Sequence, residues 1–243
     1  GMAGTWDYGP YGAELSHNIK DLWWRHFVKE QENIFGISTP TIMPEAVWRA
    51  SGHLSGFTDP MIECHKCHHR FRADHLDKKY LDSKKCPLCG GGLGDEKAFN
   101  LMFPLNMGSS SDSIAYLRGE IAPGMFVNFK NVLDTIRPKI PFGLAQIGKA
   151  YRNEIAPRDF LFRVREFDLM EFEFFVRESE WEKYYEFWRK EMWRWIERVG
   201  IDKDMTHELE VSPEDRAHYS KRTIDFEFDW PFGRKELYGL AYR

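Results

Sequence analysis

Apolar residues recur at spacings of three and four from Leu15 through Ile19, Leu22 and Trp23 to Phe27, with Lys20 and Asp21 between them. That period predicts an amphipathic helix, whose apolar face suits a core or an interface equally well. The turn-rich stretch Gly1 to Gly12, punctuated by Gly9-Pro10, precedes it. A second helix is expected to open at Pro123, with Met125, Phe126, Phe129, Val132 and Leu133 as its apolar face. Gly143 to Glu154 and Leu161 to Val176 read as two strands around a polar turn. In the second, Glu171 and Glu173 alternate with Phe172, Phe174 and Val176, which puts both carboxylates on one face. Ser179-Glu180-Trp181-Glu182 has the form of a capping box opening a long helix that Gly200 closes after Val199. Its aromatics Trp181, Tyr185, Trp188 and Trp195 are expected to pack. Finally Ile224, Phe226, Phe228 and Trp230 alternate with Asp225, Glu227 and Asp229, then Pro231-Phe232-Gly233 turns into a partner strand from Lys235 to Arg243.

Composition narrows the class. With 243 residues, 42% of them hydrophobic, the chain can bury a sizeable core. No apolar run approaches the roughly 20 residues that cross a bilayer, and no signal-peptide pattern opens the chain, so a soluble, cytoplasmic protein is expected. A formal charge of −4 does not mark a nucleic-acid binder, although 34 Lys and Arg can still be gathered on one face.

All four cysteines fall in a segment rich in His, Lys and Gly. Cys64-x-x-Cys67 and Cys86-x-x-Cys89 enclose residues 68–85, the spacing of a four-cysteine zinc ribbon. Two residues between ligands let one tight turn aim both thiolates at a tetrahedral ion, and four thiolates leave no open position. The expected Zn2+ is therefore structural. His65, His68, His69 and His75 are read as surface residues, and the chemistry must lie elsewhere.

The densest polar signal is Tyr151-Arg152-Asn153-Glu154, then Pro157-Arg158, then Arg163-Val164-Arg165-Glu166-Phe167. Guanidinium forks suit bidentate phosphate or carboxylate contacts, and an aromatic ring can stack on a base. By themselves these residues also fit a charged hairpin with surface ion pairs.

The pattern Arg152-x-Glu154, a loop, and Arg163-x-x-x-Phe167 resembles motif 2 of class II aminoacyl-tRNA synthetases, and KAYRNEIAPRDFLFRVREF is similar to the glycyl enzymes within that class. Residues Ala115 to Gly124 resemble that family's AYLRPETAQG segment; Trp6-Asp7-Tyr8-Gly9-Pro10 and Ala50-Ser51-Gly52-His53 are further family phrases. Residues 12–40 resemble motif 1, which implies a homodimer interface, and a zinc ribbon between motifs 1 and 2 occurs in part of the family. The resemblance runs from Thr5 to Arg243. It implies an α+β fold, a mostly antiparallel sheet flanked by helices with the ribbon inserted. The implied substrates are ATP with Mg2+, glycine and tRNA(Gly). Arg152 would hold the α-phosphate and the glycine carboxylate; Glu154, Arg163 and Phe167 would position ATP, with Phe167 on adenine and Arg158 toward the outer phosphates. Glu120 and Glu171 would receive the glycine ammonium, and Glu236 matches a carboxylate near ATP and its magnesium.

The expected organisation is residues 1–56 as the motif 1 part of the core, 57–98 as the ribbon, and 99–243 as the motif 2 part. Several positions depart from the family. Gly119, Ile121 and Pro123 stand for Pro, Thr and Gln, and Tyr238 stands for a glutamate. The chain ends before the family's motif 3 and anticodon-binding domain, so it reads as truncated, and Gly1-Met2 fits an expression remnant. Two functions fit: a glycine-activating catalytic core, and a non-catalytic synthetase-like module that binds tRNA or a partner.

Overall fold

A computed structural model of the chain describes residues 2–109, 113–217 and 219–243. Gly1, with which the expected remnant begins, lies outside the described residues. The chain forms two compact units, each assembled from separated segments. Unit 1 is Gly1–Tyr8, Ile37–Thr135 and Gln146–Glu171; unit 2 is Gly9–Gly36, Ile136–Ala145 and Phe172–Arg243.

In unit 1, the strand Ile114–Leu117 lies between Ile42–Pro44 and Phe103–Asn106, antiparallel to both. Trp48, on the short helix Glu45–Ala50, is fully buried with Met43 and Met102 beneath this sheet, and Leu54 and Phe57 pack on them. The segment 57–98 contributes a second antiparallel sheet, Thr58–Glu63 between Arg70–Arg72 and Lys97–Asn100. Its small core is Ile62, Cys64, Ala73, Cys86 and Leu93. The expected helix at Pro123 runs from Ala122 to Ile136, with Met125 and Val132 buried and Phe126 turned outward.

In unit 2, the helix Pro10–Trp24 passes into a π-helical turn, Arg25–Lys29. This wider turn buries His26, Phe27 and Val28 in succession. Phe27 is 1% exposed and meets the rings of Trp23, Phe172 and Trp195 at 5.2, 5.3 and 5.7 Å. The core reading of this first helix therefore holds for Trp23 and Phe27. It fails for Leu15, which is 61% exposed.

The helix Trp181–Val199 buries Tyr185, Trp188, Met192, Trp195 and Ile196, as its aromatic spacing predicts. Its opening differs from expectation. Glu178–Glu180 form a 3-10 turn, Glu180 is the N-cap residue, and no side-chain cap hydrogen bond forms. Ser179 is drawn into that turn instead of capping the helix. Gly200 closes the helix with φ of 83°, in the left-handed region that glycine enters without a Cβ clash.

Strands Thr206–Glu210, Arg222–Trp230 and Gly233–Tyr242 form an antiparallel sheet with a bulge at Phe226/Glu227. A further sheet places Phe142–Tyr151 between Ile34–Gly36 and Glu166–Phe175, its first pairing parallel. Both long strands are shorter than the sequence reading: Arg152–Glu154 and Leu161–Arg165 leave the ladder.

His26 carries a buried polar knot. Its Nε2 lies 3.3 Å from the Glu191 carbonyl and 3.4 Å from the Glu191 carboxylate, while Arg198 donates to Nδ1 at 3.2 Å and also pairs with Glu30. Burial, the largest influence, holds the His26 pKa below its ordinary value against the pull of Glu191. The folded state then binds fewer protons at this site than the unfolded chain, so its stability is complete above pH ~6.5 and falls as pH drops toward the folded pKa. Urea unfolding of the wild type is expected to weaken between pH 7 and pH 5.5, and His26→Gln is expected to flatten that slope; equal slopes would remove His26 from the balance.

Candidate active site and cysteine cluster

The strand Phe142–Tyr151 delivers Arg152 through three successive backbone amides. Tyr151 N–H donates to the Arg118 carbonyl, Arg152 N–H to that of Arg165, and Asn153 N–H to that of Leu101, at 2.9, 2.9 and 2.8 Å. Strand geometry sends alternate amides to opposite sides, so one short stretch ties three distant segments. Arg118, 3% exposed, secures the same region by donating to the carbonyls of Lys149, Thr39 and Pro40.

The Arg152 guanidinium lies between two rings, 5.3 Å from the centre of Phe57 and 5.2 Å from that of Phe167. Its Nε donates to the Gly119 carbonyl at 3.3 Å. A Cβ at Gly119 would stand 2.9 Å from Cε1 of Phe57, so a side chain here would require that ring to shift. The next residue, Glu120, is half-buried, and one carboxylate oxygen lies 3.1 Å from Nε2 of His53.

Glu154 is 5% exposed. Arg163 Nη1 donates to its carboxylate at 3.3 Å, and Arg165 Nη2 to its carbonyl at 2.8 Å. Arg163 Nε is buried without a hydrogen-bond partner, although the side chain is 28% exposed through its outer end.

Arg158 and Arg163 exchange backbone hydrogen bonds at 3.1 and 3.2 Å across a tight turn. Asp159 and Phe160 within it have φ of 57° and 53°. Left-handed backbone is costly for a bulky residue such as Phe160. Its exposed ring rests edge-on against Trp6 at 4.7 Å. Arg158 is exposed, with Nε 3.3 Å from Asp159. His75, of the 57–98 segment, has its pKa lowered by burial and then by the charge of Arg158.

Unit 1 thus brings Glu120, Arg152, Glu154, Arg158, Arg163 and Phe167 together with Phe57 and His53. Glu171 closes the same unit on the strand Glu166–Phe175. Glu236 belongs to unit 2, where it is exposed and pairs across the hairpin with Glu227. Tyr238 is held there too, its hydroxyl donating to the Met192 carbonyl at 3.3 Å. Phe57 and His53 carried no role in the sequence reading; the only signal was the family phrase Ala50–His53.

The cysteine sulfurs all lie within 4.8 Å of one another, with Cys64–Cys89 at 3.6 Å and Cys67–Cys86 at 3.8 Å. A disulfide needs about 2.05 Å. A tetrahedral ion about 2.3 Å from each sulfur sets neighbouring sulfurs about 3.8 Å apart, so the quartet fits zinc. The Cys67 amide, opposed by desolvation, and then the Lys66 amide hold the Cys64 thiol down at about 6. Desolvation and the three other thiols overcome the His69 amide and push Cys67 up to about 12. His65, His68 and His69 are exposed, as expected, whereas the His75 side chain is only 26% exposed.

The chain belongs to the tRNA synthetase class II core domain family (G, H, P, S and T), which matches residues 110–237. Within that class its similarity is to glycine–tRNA ligases. It is 43% identical to the Treponema denticola protein of that name across the whole of this chain and 54% of that protein. It is likewise 44% identical to the Streptomyces coelicolor protein over 57% of its length. The chain spans about half the length of these curated relatives. Among solved structures, Giardia lamblia prolyl-tRNA synthetase in complex with prolyl-adenylate matches 99% of this chain and 40% of its own, with TM-score 0.68 and 16% identity. That likeness establishes the class II synthetase fold, an α+β arrangement of antiparallel sheets and helices. No described helix is long and apolar enough to cross a membrane.

Glu154→Ala is expected to leave the partly buried Arg163 guanidinium without its carboxylate. Its cost should be about 1–3 kcal/mol of unfolding free energy in urea, after allowing for solvent at the exposed end of Arg163. A cost near zero would show that the pair holds nothing together.

Proposed function

We propose that this chain is the catalytic-core portion of a glycine–tRNA ligase, activating glycine with ATP for transfer to tRNA(Gly). The observation that carries this reading is Arg152, a cation set between Phe57 and Phe167 and hydrogen-bonded to the carbonyl just before Glu120. The cation faces anions and the neighbouring carboxylate faces an ammonium, the two ends of an amino acid meeting a nucleotide phosphate.

In the reaction, a glycine carboxylate oxygen attacks the α-phosphorus of ATP. A new O–P bond forms, the bond to the bridging oxygen breaks, and pyrophosphate leaves with that electron pair. Arg152 holds the α-phosphate and the glycine carboxylate, so positioning and charge stabilisation do the work. Phe167 offers adenine the face opposite Arg152. Glu154 fixes Arg163, both contribute to ATP positioning, and Arg158 on its strained turn reaches the outer phosphates. Glu120 and Glu171 take the ammonium; glycine is selected by leaving no room for a side chain. Mg2+ bound with ATP supplies charge neutralisation on the phosphates. By the family resemblance, Glu236 is the carboxylate near ATP and its magnesium.

Cys64, Cys67, Cys86 and Cys89 hold a structural Zn2+ that shapes the ribbon, residues 57–98. The exposed Tyr11 and Leu15 of the first helix supply a homodimer face. Ile121 and Pro123, two of the departures from the family, are buried.

Glycine-dependent exchange of labelled pyrophosphate into ATP is expected, and Arg152→Ala should reduce it by about 10²-fold or more. Equal exchange with and without glycine, or in the variant, would refute the assignment. The purified chain should carry one zinc by atomic absorption, lost in Cys86→Ser; a metal-free wild type with four reactive thiols would remove the ion from the account.

A further inference from the structure

His53 opens the short helix His53–Gly56, with a polar group facing each ring nitrogen. Nε2 is 3.1 Å from a Glu120 carboxylate oxygen, and Nδ1 is 2.8 Å from the Ser51 hydroxyl. A carboxylate can only accept, so Nε2 carries the proton and donates to Glu120. The Ser51 hydroxyl donates to the Trp48 carbonyl at 3.3 Å and lies 2.8 Å from Nδ1.

The imidazole itself is held from every side. Trp48 meets it edge-on at 5.1 Å and Phe57 packs at 5.2 Å. Its own carbonyl and that of Leu54 accept from Asn100 Nδ2 at 2.9 and 3.0 Å, and Asn100 Oδ1 in turn accepts from the Met102 amide at 2.8 Å. With only 12% of its side chain exposed, His53 is a rigid donor aimed at one carboxylate oxygen.

We propose that His53 is a positioning residue for amino-acid recognition: held between Trp48 and Phe57, with Nε2 3.1 Å from the Glu120 carboxylate, it fixes the orientation of Glu120 toward the glycine ammonium. A glutamate side chain loses rotamer freedom when it is held, and here His53 pre-empts that loss before substrate arrives. Phe57, on the same chain segment, packs against Arg152, so residues 51–57 support both the carboxylate and the cation. The inference rests on the glycine-activating reading above.

The test compares wild type, His53→Gln and His53→Asn in glycine-dependent pyrophosphate exchange. Glutamine places an N–H near the position of Nε2, whereas asparagine reaches only the position of Nδ1. Asn is expected to raise KM for glycine by about tenfold, leaving KM for ATP unchanged, and Gln to restore most of it. In the ¹⁵N-labelled wild type, the Nε2–H resonance of His53 should persist and shift when glycine and ATP are added. Wild-type KM in the Asn variant, no advantage of Gln over Asn, or an equal rise in KM for ATP would overturn the positioning role. A wild type whose exchange ignores glycine would overturn the glycine-activating reading beneath it, and the role with it.

Discussion

The amides of Tyr151, Arg152 and Asn153 are the constraint on which the first unit depends. At the end of one strand they donate in turn to the segments that end the Ile114–Leu117 strand, that follow the Arg158–Arg163 turn, and that lead out of the 57–98 insertion. Buried backbone donors left unpaired are costly, so the three partners must be present together. That requirement fixes where Gly119 and Glu120 lie, where Arg165 meets Gly4, and how residue 101 re-enters the core. Arg152 has its place because its own amide and both neighbours are spoken for.

The side-chain chemistry is built on that backbone knot by a small number of close fits. A glycine at 119 admits the Phe57 ring, and that ring packs against Arg152. Burial of Glu154 ties Arg163 back across the turn. In each unit a histidine stands between two polar partners, His26 between Glu191 and Arg198, His53 between Glu120 and Ser51. The physics is shared: an imidazole has two ring nitrogens and so stands between two polar groups at once.

Much of this was legible in the residues. The cysteine spacing pointed to a close quartet, and the alternation in Ile224 to Trp230 and the aromatic spacing from Tyr185 to Trp195 gave a strand and a packed helix where they stand. Elements set by local period were readable because one face had to be buried. What was not readable depended on tertiary partners. Ser179 fits a capping box by composition, yet a 3-10 turn takes that residue. Leu15 shares the period of Phe27, yet the period cannot say how far along a helix the core extends. The π turn that buries His26, Phe27 and Val28 together leaves no mark in a 3.6-residue pattern. His53 and Phe57 lie 67 and 95 residues from Glu120 and Arg152, and only the fold makes them neighbours.

The 57–98 insertion leaves and re-enters the core at one point. Thr58 pairs with Asn100, and the Leu101 amide donates to the Phe57 carbonyl at 3.0 Å. A segment whose ends are already hydrogen-bonded to each other imposes no span on the body that carries it. Lengthening or trimming it changes loop entropy only slowly with the number of residues. It behaves as a leaf on a stem, and its size is free to drift between lineages. The stem is not free: Phe57, its first residue, is also a wall of the Arg152 clamp. A change of length within the segment therefore leaves its attachment intact, whereas a change at Phe57 reaches the Arg152 guanidinium.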